Sequence, residues 1–200
     1  MTRRFFPMIL LGLLTGTAAQ AATPLRDGDL VFQTSRSGQS LAVQRATHSP
    51  WSHMGVVLMR GGKPFVFEAS ATVRYTPLSQ WAAHGAGSRY AVRRLKQRLT
   101  IAQATKLRAA AGKYAGRPYD LYFEWSDDRI YCSELVWKMY RDAVGIEIGA
   151  RQQLRDFDLT DAVVRATMRE RYGSDVPLKE PVISPGAMYD SPLLETIESR

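Results

Sequence analysis

The amino-acid sequence predicts an α+β fold in which an antiparallel sheet packs against helices. Two observations carry this reading. The candidate strands gather between residues 30 and 95, and the candidate helices follow from residue 101 onward. At least one pair of strands is joined by a short Gly-Gly connection, which suits antiparallel neighbours.

Asp27-Gly28-Asp29 is a turn signal before the short strand Leu30-Val31-Phe32. Residues 33–39 read as a polar loop, and Ser40 to Thr47 as one or two helical turns. After the turn Ser49-Pro50-Trp51-Ser52 comes the strongest strand, His53 to Met59. Arg60-Gly61-Gly62-Lys63-Pro64 connects it to Phe65-Val66-Phe67-Glu68-Ala69 as a hairpin. Thr72 to Thr76 and Tyr90 to Leu95 are further strands, with Leu78 to His84 between them.

The pattern then changes. Thr100 is a good N-cap for a helix to Tyr114, with Ile101, Ala104, Leu107 and Ala111 in helical spacing. Gly116-Arg117-Pro118 stops it. Cys132 to Val144 is a second helix with Leu135, Val136 and Met139 as its apolar stripe, closed by Gly145. Thr160 is placed to cap a third helix to Tyr172, and Ser184-Pro185-Gly186 to open a short last one.

Residues 1–21 read as a signal peptide. Thr2-Arg3-Arg4 is a basic start, Phe5 to Ala19 is mostly apolar, and Ala19-Gln20-Ala21 is a small-x-small cleavage site. Thr2-Arg3-Arg4-Phe5-Phe6 also partly matches a twin-arginine signal. Gly12, Thr15, Gly16 and Thr17 interrupt the apolar run, which argues against a membrane span. The expected product is exported, periplasmic or secreted, with one domain over residues 22–200. The formal charge of +8 falls to +6 without Arg3 and Arg4. For an exported chain, anionic envelope polymers and head groups are better partners for that charge than nucleic acid.

Cys132 is the only cysteine, so an intramolecular disulfide is excluded. Packing as a small buried hydrophobe, service as a metal ligand and service as a nucleophile all remain. Its place in Tyr131-Cys132-Ser133-Glu134-Leu135-Val136, at a helix start, favours the nucleophile. There the free N–H groups and the positive end of the helix dipole stabilise a thiolate. Of the three histidines, His53 opens a rigid strand, whereas His48 and His84 lie in loops. Glu68, an acid within an apolar strand, is the orienting partner that a hairpin would bring beside His53. The N–H of Cys132 and the phenol of Tyr119 are candidate oxyanion donors. Ser52 is a candidate for orienting a water or a carbonyl. Trp51, Tyr75, Trp81 and Tyr122 are equally open as cleft, core or surface residues. One cysteine and three dispersed histidines, without paired spacing, make a poor metal signature, and no cofactor is expected.

Gly116-x-Pro118-Tyr119 followed by Tyr131-Cys132-Ser133-x-Leu135-Val136 resembles the nucleophile half of NlpC-type papain-like cysteine hydrolases. The histidine strand comes first here. Gly28-Asp29-Leu30-Val31-Phe32, Ser49-Pro50-Trp51-Ser52-His53-Met54-Gly55-Val56-Val57, Phe67-Glu68-Ala69 and Val182-Ile183-Ser184-Pro185 look like the circularly permuted, YiiX/YebB-like branch. The resemblance runs from about Asp27 to Leu194. It implies a papain-like fold with Cys132 as nucleophile, His53 as base and Glu68 as third polar residue. Tyr119 corresponds to the tyrosine that lines such sites, and Tyr131, Ser52 and Trp51 flank the motifs as substrate-binding candidates.

The expected function is an exported cysteine hydrolase that cleaves an amide bond of cell-wall peptides through an acyl-enzyme. Two alternatives stand beside it. One is a lipid amide or ester hydrolase or acyltransferase, the other a wall-fragment-binding module without catalysis.

Overall fold

The structure is a computed structural model that describes residues 23–199. The expected signal peptide lies outside the described residues. The first strand, β1, spans Leu30–Gln33 and leads to helix α1, Ser40–Thr47. Strands β2 (His53–Arg60), β3 (Lys63–Ala69) and β4 (Val73–Pro77) form successive hairpins. Helix α2 (Leu78–Ala83) precedes β5 (Ala91–Leu95). Helices α3 (Ile101–Tyr114) and α4 (Cys132–Val144) follow. The remainder holds β6 (Gln152–Gln153), α5 (Ala162–Tyr172), β7 (Pro181–Val182), α6 (Pro185–Tyr189) and β8 (Leu194–Ser199).

Six strands make one antiparallel sheet in the order β4-β3-β2-β1-β5-β8. Alternation along the strands splits the core in two. Leu30, Phe32, Met54, Val56, Leu58 and Phe67 face α3 and α4. Val31, Val57, Val66 and Val92 face the other way, onto Trp81 of α2. Because both faces are covered, β1 and β2 are near-continuous apolar runs.

The expected elements form, with three differences. The final strand β8 returns to pair with β5, so the chain does not run strands first and helices last. Leu194 is buried and Ile197 packs on the smaller core, an alternation carried by only a few residues. Asp161 rather than Thr160 caps α5, accepting from Val163 N at 2.8 Å. Thr160 bonds to Asp158 instead, and a carboxylate at the cap also favours the helix dipole. The third difference is in α4, where the whole run from Cys132 to Tyr140 is buried rather than one stripe. Its two charged members offset each other: Lys138 pairs with Glu134 in the helix and with Asp127 before it, each at 2.8 Å. Gly145 ends α4 at φ 71°, where a side chain would be strained.

Gly55 is a point of close approach in the hairpin that carries the site. A Cβ there would sit 2.4 Å from Val66 Cγ1 and 2.9 Å from the Phe67 carbonyl oxygen. The carbonyl belongs to the ladder and Val66 is buried, so neither can yield cheaply. Gly55→Ala is expected to cost about 1–3 kcal/mol, the usual range for overpacking. A lowered denaturant midpoint at unchanged m-value checks this.

Candidate active site

The site forms where the start of α4 meets the start of β2. His53 is the first residue of β2, and so lies at a sheet end reachable from both layers. Its ring stacks on Trp81 at 6.0 Å between centroids. Its Nε2 lies 2.6 Å from Glu68 Oε2. Glu68 is on the same face of the neighbouring strand, and Gly55 leaves room between them. Thr76 Oγ1 of β4 donates to Glu68 Oε1 at 2.6 Å, which fixes the carboxylate. With Nε2 engaged, Nδ1 is the nitrogen left for the thiol.

Burial pushes the Cys132 thiol up. Hydrogen bonding with His53, the imidazolium charge and the backbone of Met54 outweigh it and hold the thiol below its ordinary 9. Burial likewise pushes His53 down, but the hydrogen bonds with Cys132 and Glu68 and their charges raise it well above 6.5. For Glu68, burial raises the carboxyl, while the His53 and Thr76 hydrogen bonds bring the net direction below 4.5. All three directions favour a thiolate, an imidazolium and a carboxylate in series. Glu134 lies in the same helical turn as the thiol. Burial lifts it to about 8 despite Lys138. Whether protonated or paired with Lys138, it adds little negative charge beside Cys132.

Tyr119 is brought alongside by a parallel bridge to Ile130, two residues before Cys132. Its phenol oxygen accepts from Gln39 Nε2 at 2.7 Å. Gln39 Oε1 in turn accepts from Arg171 Nη2 at 2.8 Å. A guanidinium can only donate, so the Gln39 amide has one orientation and the phenol must accept. The phenol proton therefore remains available to a third group. Burial, then the nearby Cys132 charge, push the Tyr119 pKa well above 10, so it stays a donor. Gln39, Arg171 and Thr76 are additions that the sequence reading missed. Gln39 is 80 residues from Tyr119 and 132 from Arg171, beyond any local pattern. Thr76 was legible in principle, from the pairing of β3 with β4.

Other candidates play different parts. Ser52 Oγ is 2.7 Å from Ser40 Oγ and accepts from Ser35 N at 2.9 Å. It ties the Gln39 loop to the His53 strand. Tyr131 is buried, and its phenol oxygen accepts from Ile183 N at 3.1 Å. Trp51 is a correction. It packs on Tyr189 at 4.7 Å and on Phe32 at 6.3 Å, outside the lining of both spaces at the thiol. Trp51 lies in the turn before β2 rather than in the strand, and its ring goes to the Phe32 face of the sheet. Tyr75 packs on Phe67 and Tyr122 on Tyr172, so neither lines those spaces. His48 is exposed and pairs with Asp158 at 3.2 Å.

Two spaces meet here. One lies between α1 and α5, is lined by Cys132, Tyr131 and Ser133, and exposes almost only carbon. The other is more open and carries more polar surface than the first, with His53, Glu68, Arg36, Ser37 and His84 in its lining. Gln39, Ser52, Tyr119 and Arg171 border both. An ionised thiol beside an imidazolium, with a phenol donor nearby, is equipped to attack a carbonyl, hold the oxyanion and protonate a leaving group.

Comparison with known proteins shows the family of the chain. YiiX of Escherichia coli K12 is 49% identical over 190 residues, which cover 95% of this chain and 94% of that protein. The crystal structure of YiiX from E. coli O157:H7, described as a metalloprotein, superposes with a TM-score of 0.86 at 51% identity. That match covers 88% of this chain and 97% of the other. Residues 24–198 match the family described as permuted papain-like amidase enzymes, YaeF/YiiX, C92. The chain therefore belongs to this family of permuted papain-like cysteine amidases.

Proposed function

We propose that the chain is an exported cysteine amidase of the cell envelope, acting through a Cys132-His53-Glu68 site. The 2.6 Å hydrogen bond between His53 and Glu68, beside a thiol whose ionisation His53 favours, carries this reading. Cys132 Sγ attacks the substrate carbonyl carbon, and the negative charge moves to the carbonyl oxygen. The Cys132 N–H and the Tyr119 phenol are the donors in position to receive it. The tetrahedral intermediate collapses, the C–N bond breaks, and His53 gives its proton to the departing amine. Water then attacks the thioester. His53 takes a proton from that water, the C–S bond breaks, and the acid leaves. Glu68 holds the ring and balances the imidazolium throughout.

Export is supported by the basic-apolar-small pattern of residues 2–21. The description of the E. coli relative as a metalloprotein raises a metal-assisted route. Among the described residues no three His, Cys, Asp or Glu side chains are grouped to hold a metal. His53 has one nitrogen on Glu68 and the other toward the thiol, so the donor set does not fit and no step runs through a metal. A binding module without catalysis would have no need of the opposed pKa shifts at Cys132 and His53.

Thiol alkylation tests the proposal. Iodoacetamide should modify Cys132 quickly at neutral pH, and His53→Ala should slow it roughly tenfold or more, since an ordinary thiol is only a few per cent ionised at that pH. A wild-type rate no faster than that of free cysteine would count against the proposal. Of the two substrate classes, wall peptide and lipid-like acyl compound, the carbon lining beside the thiol favours the second.

A further inference from the structure

We infer, on the amidase reading above, that Arg171 and Gln39 form a relay that turns the Tyr119 phenol proton toward the oxyanion and strengthens it as a donor. Tyr119 meets the substrate; Gln39 and Arg171 act through it as positioning residues. The relay joins three separate parts of the fold. Gln39 is the residue before α1, Tyr119 lies between α3 and α4, and Arg171 is in the last turn of α5. Arg171 Nη2 donates to Gln39 Oε1 at 2.8 Å, and Gln39 Nε2 donates to the phenol oxygen at 2.7 Å.

A phenol has one proton. An acceptor beside it would take that proton, and an oxyanion would then meet a lone pair. A guanidinium offers no acceptor, so with Arg171 on Oε1 the amide presents only N–H to Tyr119. Both links run in one direction, from cation to amide to phenol, and each polarises the next. Among the described residues no carboxylate pairs with Arg171, so its charge acts along the relay without a counter-ion. Burial and then the Cys132 charge hold the phenol well above 10, while the Gln39 bond and the Arg171 charge pull it the other way. That pull makes the phenol a better donor.

The place of Gln39 is itself unusual. It stands at the N-cap of α1, where a Ser, Thr, Asn or Asp side chain normally closes on a free backbone N–H, and it makes no such bond. Its amide goes to Tyr119 and Arg171 instead. The Phe123 ring, with its centroid 5.3 Å from the Arg171 guanidinium carbon, steadies the cation.

Two variants separate aiming from packing, because the two roles rank them in opposite orders. In Gln39→Glu the carboxylate keeps Arg171 but accepts from the phenol, so the proton turns away from the substrate. In Gln39→Leu both bonds are lost, yet the proton stays free. Acylation by p-nitrophenyl acetate passes through an oxyanion, and is read as p-nitrophenolate release and added mass on Cys132. Alkylation by iodoacetamide forms no oxyanion and serves as the control for the thiolate. Each rate is taken on its pH plateau with the purified protein. Gln39→Glu is expected to slow acylation roughly 30- to 100-fold, near the loss of one oxyanion donor, and alkylation less than about threefold. Gln39→Leu should slow acylation only about threefold to fivefold, the scale of a lost neutral hydrogen bond. Arg171→Met, which lets the amide turn, should fall between them, and Arg171→Lys, still a donor only, should recover most of the rate. In a Tyr119→Phe background, Gln39→Glu should cost nothing further. A slower Gln39→Leu than Gln39→Glu, or acylation and alkylation falling together, would overturn the relay and leave the Cys132 chemistry standing. Absence of any acyl adduct on Cys132 in the wild type would remove the amidase reading, and the relay with it.

Discussion

Cys132→Ala is expected to lower kcat for acyl-amide hydrolysis roughly 10⁴- to 10⁶-fold, the scale on which a hydrolase loses its nucleophile. The fold should survive. Alanine removes one sulfur from the start of α4 and leaves the Leu135, Val136 and Met139 packing intact. It also removes a thiolate whose ionisation burial opposes. Far-UV circular dichroism and the thermal midpoint should therefore stay close to wild type while turnover vanishes. A variant that kept more than a hundredth of the wild-type rate would move the chemistry away from this thiol.

The wild-type pH profile follows from the same pair. His53 is raised above 6.5 and Cys132 lowered below 9. At pH below the thiol's pKa in the pair, Cys132 takes up its proton and the rate falls. At pH above the imidazolium's pKa, no proton remains for the leaving amine and the rate falls again. The plateau between belongs to the coupled pair rather than to either group alone. Its acid limb should lie below the ordinary thiol range and its alkaline limb above the ordinary imidazole range.

Glu68→Gln is the second large effect, with a loss in kcat of roughly 10²- to 10⁴-fold. The substitution keeps size and still offers Thr76 a hydrogen-bond partner, but it removes the charge that stabilises imidazolium. Without that charge the His53 pKa falls, and the thiol loses its counter-ion and rises. The acid limb of the pH–rate profile should therefore move to higher pH. A glutamate that merely packed would leave the limb where it was. Titrating kcat/KM from pH 4 to 10 for both proteins separates the two roles. Retention of the wild-type limb would reduce Glu68 to a packing residue.

The parts of the site legible in the sequence are those set by local rules. His53 and Glu68 are 15 residues apart on a Gly-Gly hairpin, so strand alternation alone places them together. Cys132 announces itself as a lone thiol at a helix start. Antiparallel strands joined by turns gave the fold class, and the resemblance to permuted papain-like proteins named it. The unread parts depend on long-range closure. Nothing near Gln39 signals that its amide will bridge Tyr119 and Arg171. Trp51 adjoins the His53 motif, yet it sits in the turn before β2 and packs on Tyr189. The strand β8 was hidden by its position near the end of the chain, where its few alternating residues read as a tail.

The order of residues along the chain also governs when the site becomes reactive. The hairpin of β2 and β3 is a local structure and closes cheaply, so the pairing of His53 with Glu68 needs only nearby chain. Docking of α4 against that hairpin closes a far longer loop. Until it happens, the thiol sits in an unfolded segment with ordinary ionisation and no imidazole. Nucleophilicity is thus a property of the docked fold rather than of the local sequence around Cys132. The lowered thiol needs the start of α4 set against the sheet, because His53 and the backbone of Met54, both on β2, supply the stabilisation.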